Sequence, residues 1–249
     1  MMIGRVATAT LSVLMIVLSG CGGDLRQGSS SVLYNVFDED DRVPLSGALR
    51  QWTGRVVTSQ GVCTGSLIGP RHVLTNAHCV VHRDLTPQDN IVFQLGWQNS
   101  RSLAMGTPIE ATVGSNVGAD DWAVMVLREN LGDEFGWLEM VDVDSAASLS
   151  FPRRVTNVGY SGDFQNGQVA GVHVNCKIHG IEADMLLHDC DTTRGASGGP
   201  LLVTARGHRP VILGINSAEK RVPGNEPLVG IAWHPNAANL AVPAWRINL

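Results

Sequence analysis

Several features whose presence would settle a function class are missing from this 249-residue chain. No apolar stretch reaches the ~20 residues that a membrane-spanning helix needs. Lysine and arginine total 18 against 23 acidic residues, a net charge of −5, and no basic stripe runs along the chain. That balance excludes the electrostatic footprint of a nucleic-acid binder. Neither C-x-x-C nor H-E-x-x-H occurs, so the common zinc-ligand spacings are absent. Few segments hold a 3.6-residue apolar period over three turns, and no internal repeat is found, which argues against bundles and solenoids. No metal or organic cofactor is implied.

What is present begins with an export signal. In residues 1–20, Arg5 is followed by an apolar run, Val6 to Leu18, and then by small Ser19 and Gly20. The tetrapeptide Leu18-Ser19-Gly20-Cys21 resembles the lipobox of bacterial lipoproteins. That resemblance implies cleavage before Cys21 and acylation of its thiol and new amine. Several acyl chains anchor stably where one binds marginally. Five cysteines are an odd number for an exported protein. With Cys21 given to lipid, four remain, and the expected disulfides are Cys63–Cys79 and Cys176–Cys190. Each would close a loop of about fifteen residues, worth roughly 3 kcal/mol through chain entropy. Residues 21–48 then read as the lipidated N-terminus and a polar tether. The acidic run Asp38-Glu39-Asp40-Asp41 within them lacks the glycine-spaced pattern of a calcium loop.

From about residue 50 the pattern changes to short runs rich in Val, Ile and Leu, bounded by Gly, Pro, Asn or Asp. Examples are "GRVVTS", "VCTGSLIG", "HVLTNA", "IVFQLGW", "RRVTNVGY", "VAGVHVNC", "PVILGIN" and "LVGIAW". Such runs predict an all-β protein of many strands, better housed in two packed antiparallel β-barrels than in one sandwich. The expected halves are residues 49–145 and 146–249.

Three segments carry chemistry. "LTNAHC" puts His78 after an apolar strand, "DDWAVMVL" puts Asp121 at the mouth of another, and "GASGGP" puts Ser197 in a glycine turn. A serine hydroxyl needs a neighbouring base to become a nucleophile, and the base needs an orienting acid. These segments, in this order and with "VCTGSLIG" upstream, resemble the trypsin/chymotrypsin-type serine peptidases, closest to the bacterial trypsin-like and glutamyl-endopeptidase branch. The resemblance implies a double barrel with its site in the cleft between the halves. It makes His78 the general base, Asp121 its orienting acid, and Ser197 the nucleophile. The backbone N–H groups of Gly195 and Ser197 become the oxyanion donors. The implied molecule is a monomeric endopeptidase acting on protein or peptide, held at the cell envelope by its lipid. "GASGG" also fits the G-x-S-x-G elbow of α/β-hydrolases, with Ser197, Glu219 and His234 in that family's order. The alternating helices and HGGG-type loop of that fold are missing. A catalytically silent binding module on the same fold is the alternative from another class.

The resemblance extends to substrate contacts. Asp191, six residues before Ser197, occupies the position of a pocket-floor carboxylate and implies a preference for Arg or Lys before the scissile bond. Thr192 matches a threonine of the glutamyl-specific branch, whereas Asn216 follows Gly214-Ile215 where that branch carries a histidine. Asn216, Ser217 and Ala218 form the expected edge strand for an extended peptide, with Ser217 near Asp121 and Gly230 on the pocket wall. Ala196 stands where zymogen-activated members carry an aspartate, so no newly cut, buried N-terminus is expected to be needed. His82, His173, His179 and His208 read as surface or satisfied core residues, and Asp120 as solvated.

Overall fold

The computed structural model describes residues 36–37, 39–142, 145, 148–204, 207–220 and 238–247. Cys21, Gly230 and the run "LVGIAW" lie outside the described residues. In chain order the elements of the first half are β1 (Val43–Pro44), α1 (Leu49–Trp52), β2 (Thr53–Thr58), β3 (Gly61–Leu67), β4 (His72–Thr75) and β5 (Val92–Leu95). They continue with β6 (Ala104–Gly106), β7 (Pro108–Val113), β8 (Ala123–Leu127) and α2 (Leu131–Phe135). The second half has β9 (Glu139–Met140), β10 (Arg153–Gly159), β11 (Gly171–Glu182), β12 (Met185–His188), β13 (Pro200–Val203), β14 (Val211–Lys220) and β15 (Ala238–Pro243).

The chain is all-β, and its two halves match the double-barrel expectation. Strands β10 to β15 close on themselves: the order β11-β10-β13-β14-β15-β12 returns to its start through a β11–β12 pairing. In the first half the order is β6-β5-β2-β3-β4-β8-β7, a curled sheet whose edge strands are β6 and β7. Only Thr107 separates those two, so the chain itself spans the gap between the edges. A single bent strand that changes partner removes the open edges that a flat sheet would expose.

Three apolar clusters explain why these segments hold together. One fills the first half around Val56, Leu67, Phe93 and Met125. A second fills the barrel around Val155, Ile178, Leu201 and Leu213. The third joins the halves, packing Leu74, Trp122 and Val124 against Val158, Ile215 and Val242. Burying one such Leu or Val side chain contributes about 1.5–3 kcal/mol, so the junction is a core and not a sliding contact.

Two bulges re-aim side chains. Between β10 and β11 the pairing skips Asn175, which sits at φ +67°. Between β14 and β15 the pairing passes from Asn216 directly to Ala218, leaving Ser217 as the extra residue. A bulge turns its residue off the regular alternation, and such sites occur beside functional clefts.

Of residues 21–48, expected as a tether, the described part from residue 36 onward rests on the barrel. Val36, Phe37, Arg42 and Leu45 are buried, and β1 pairs with β11. Leu45 N–H donates to Ala170 O at 2.8 Å. Alternation could not reveal this, because the segment docks through one arginine and its own backbone amides.

Candidate active site

His78 sits in the one-turn 3-10 segment that follows β4, and Cys79 bonds it to β3 through Cys63. Asp121 lies at the mouth of β8, its side chain 7% exposed against 38% for His78. Asn76 supports both: its Nδ2 donates to Asp121 O at 2.6 Å. The carboxylate then receives three donors. Oδ1 accepts the His78 backbone N–H at 3.0 Å, and Oδ2 accepts from His78 Nδ1 at 2.7 Å and from the Ser217 hydroxyl at 2.6 Å. The bulge is what turns Ser217 toward Asp121. Because a carboxylate only accepts, Nδ1 carries a proton in this bond, and Nε2 is the nitrogen left to accept in a neutral ring.

Ser197 arrives from the other half on the turn before β13. Thr64, next to Cys63, ties that turn to the first half. Its N–H donates to Ser197 O at 2.8 Å, its hydroxyl donates to Gly195 O at 2.8 Å, and the same hydroxyl accepts from Tyr160 N at 2.9 Å. Thr75 Oγ1 in turn donates to Thr64 O at 2.8 Å. Gly195 has φ +100°, and a Cβ there would stand 2.3 Å from Tyr160 O, so only glycine fits the turn. Among the described residues, neither the Gly195 nor the Ser197 N–H has an acceptor, so both are available to a ligand atom.

Two hollows share Ser217 and Ala218 as a common wall. One of about 650 Å³ is lined by His78, Asp121, His82 and Gln88, among others. The other, about 310 Å³, is lined by Thr192, Thr193, Arg194, Ser197 and Asn216. His78 and Ser197 therefore line two adjacent hollows, one from each half, that meet at the Ser217–Ala218 wall. Among the described residues, His78 hydrogen-bonds through Nδ1 and its backbone N–H to Asp121, and no hydrogen bond joins its Nε2 to Ser197 Oγ. Such contacts commonly tighten only around bound substrate.

Asp191, expected at a pocket floor, is buried with its carboxylate engaged by the N-terminal segment: Oδ1 accepts the Phe37 N–H at 2.8 Å and Oδ2 the Asp41 N–H at 3.0 Å. His173 Nδ1 lies 3.1 Å from the same carboxylate and accepts the Asp191 N–H at 3.0 Å. Its charge serves the docked N-terminal segment and does not face the hollow. Thr192 and Asn216 do line that hollow, with Thr192 Oγ1 donating to Asn216 Oδ1 at 3.4 Å. Behind Asn216 lies His188, which no motif singled out. It is fully buried, neither ring nitrogen makes a hydrogen bond of ordinary geometry, and burial pushes its imidazole down to about 3. Thr64, Arg42 and Asp163 were also missed. Thr64 stood inside "VCTGSLIG" with nothing in its identity to mark it, and Arg42 was the one cation after an acidic run.

Both expected disulfides are formed, Cys63–Cys79 and Cys176–Cys190. Among the described residues no helix is long and apolar enough to cross a membrane.

The comparisons with known proteins agree with this geometry. A Glu endopeptidase solved in complex with MPD superposes with TM-score 0.69 at 20% identity, covering 84% of this chain and 93% of that one. The protease Anisep from Arthrobacter nicotinovorans superposes with TM-score 0.62 at 17% identity, covering 82% and 94%. No curated protein sequence matches the chain. The trypsin family model matches residues 43–238, a span that runs from β1 to the start of β15 and contains His78, Asp121 and Ser197, and the chain belongs to the trypsin family of serine peptidases.

Proposed function

We propose that the protein is an exported serine endopeptidase whose catalytic residues are His78, Asp121 and Ser197. One observation carries the reading: Asp121 accepts from His78 Nδ1 and from Ser217, the arrangement that makes Nε2 the basic nitrogen of the neutral ring, and His78 and Ser197 line hollows that share the Ser217–Ala218 wall. In the proposed reaction the Ser197 hydroxyl oxygen attacks the peptide carbonyl carbon while His78 Nε2 takes its proton. The oxyanion lies between the Gly195 and Ser197 N–H groups, worth roughly 3 kcal/mol per donor in comparable sites. Collapse breaks the C–N bond, and the imidazolium returns its proton to the leaving amine. Water, deprotonated by the same imidazole, then releases the acyl group from Ser197.

Substrate is proposed to lie along Asn216-Ser217-Ala218 as an added strand. A preference for Arg or Lys loses its basis once Asp191 is committed elsewhere. The hollow beside Ser197 presents the Thr192 hydroxyl and the Asn216 amide, groups that suit a carboxylate or carboxamide side chain before the scissile bond. The similarity to a Glu endopeptidase points the same way. Two disulfides suit an oxidising, exported location.

Treatment of folded protein with a fluorophosphonate probe tests the reading against a silent binding module. Labelling of the wild type and none of Ser197→Ala is expected. Folded wild type that takes no label, and cleaves no peptide in a digested proteome, overturns the assignment.

A further inference from the structure

The run that forms the turn before Ser197 is held from outside by a piece of chain more than a hundred residues away. Residues 36–45 lie on the barrel, and their polar groups converge on residues 191–193. Phe37 N–H and Asp41 N–H supply two donors to the Asp191 carboxylate. The Arg42 guanidinium, its side chain only 2% exposed, forks onto Asp163 through Nη1 at 3.1 Å and Nη2 at 2.6 Å. Its Nε and Nη2 also reach Asp40 at 2.7 and 2.9 Å. Asp163 Oδ1 in turn accepts the Thr193 hydroxyl. From Thr193 the ordering passes to the catalytic turn: Ala196 N–H donates to Thr193 O at 3.1 Å, and Gly162 N–H donates to Arg194 O at 2.7 Å.

We propose that Arg42 and Asp163 are positioning residues, which, through Thr193, fix the turn that presents the Gly195 and Ser197 N–H groups. This rests on the reading of Ser197 as nucleophile. It gives the docked segment a role that the tether expectation did not contain. Undocking the segment would strip the buried Asp191 carboxylate of two donors, and a buried acceptor left unmatched costs far more than a surface one. Burial alone would raise the Asp163 carboxyl, but the hydrogen bonds from Arg42 and Thr193 and the Arg42 charge hold it below its usual range. Burial likewise opposes the Arg42 charge, and its bonds to Asp40 and Asp163 more than offset it. The guanidinium cannot be replaced by a point charge, because the fork needs two parallel N–H groups. Arg42 and backbone amides inside a continuous chain do the holding.

The test compares full-length wild type with Arg42→Gln, Asp163→Asn and Arg42→Lys. Active sites are counted by complete fluorophosphonate titration, and kcat is expressed per titrated Ser197. Arg42→Gln and Asp163→Asn are expected to lower kcat per site about tenfold or more, with KM changed by less than about threefold. Arg42→Lys should fall between them and wild type. A merely structural contribution would lower the titrated fraction or Tm and leave kcat per site at the wild-type value. That result overturns the proposal. Should Arg42→Gln fail to fold, Asp163→Asn, which keeps the shape of the side chain, carries the comparison alone. Active, labelled wild type with unaltered variants removes only this inference; wild type that is neither labelled nor active removes the nucleophile reading with it.

Discussion

The backbone N–H of Phe37 donates to Asp191 Oδ1 at 2.8 Å, although 154 residues separate them in the chain. That bond decides the fate of a residue whose position suggests a pocket floor. With Asp41 supplying the second donor, the carboxylate is satisfied by backbone. Asp191→Asn should therefore leave the ranking of peptide substrates unchanged while lowering stability by about 1–3 kcal/mol. A set of peptides differing only before the scissile bond, read beside a urea titration, checks both halves. A collapse of Arg or Lys cleavage with stability intact would return Asp191 to the pocket.

The two donors that meet on Asp121 Oδ2 should separate by magnitude. Asp121→Asn offers the ring an amide that can stabilise the wrong tautomer, and kcat is expected to fall about 10⁴-fold. Ser217→Ala removes one charge-assisted hydrogen bond and leaves the tautomer alone, so about a tenfold loss of kcat is expected. Steady-state kinetics on one peptide substrate give both values. Equal losses would mean that Ser217 does more than orient the acid.

The strands and the three chemical segments were legible because each sits where a local pattern ends. His78 follows an apolar run, Asp121 opens one, and Ser197 stands in a glycine turn, and their order carried the family resemblance that made them candidates. What was illegible depends on distant partners. Counting back six residues from Ser197 finds Asp191 but cannot say which way its carboxylate faces; Phe37 and Asp41 decide that. Strand β7 was missed although Ile109-Glu110-Ala111-Thr112-Val113 alternates apolar and polar, and the structure leaves Ile109 to Thr112 exposed, so that alternation marks no buried face. The docking of the described residues from 36 onward was hidden for a related reason. A segment held by backbone amides and one arginine reads as polar linker.

Gly195→Ala tests the turn itself. At φ +100° the new Cβ would stand 2.3 Å from Tyr160 O, so the peptide has to move and carry its N–H out of place. A loss of about 10²–10³ in kcat is expected, with the folded circular dichroism spectrum retained. Retained activity would show that Gly195 N–H does not meet the oxyanion.

The proposed lipid anchoring rests on Cys21 alone. Cys21→Ser should move the protein from the membrane fraction to the soluble exported fraction and leave its activity intact, as read by fractionation and probe labelling. Unchanged partitioning would reject the lipobox reading, because no other acylated residue is proposed to hold the protein there.

His188 makes stability depend on pH in a defined direction. Burial holds its imidazole neutral and down to about 3, whereas the unfolded chain exposes an ordinary histidine near 6.5. The folded form therefore resists a proton that the unfolded form accepts. The contribution is fully present above about pH 6.5 and declines as pH falls toward the folded value, at up to about 1.4 kcal/mol per unit. The lowered carboxyls of Asp40 and Asp163 act in a separate window, since their loss begins only near the ordinary carboxylate range, below about pH 4. Between pH 6.5 and 4.5 the difference between wild type and His188→Gln isolates the imidazole. Urea midpoints measured across that interval should fall steeply in wild type and more shallowly in the variant, even if the variant starts lower at neutral pH through lost packing. Parallel slopes would mean that His188 takes up its proton in the folded protein, with Asn216 and the surrounding barrel able to accommodate the charge.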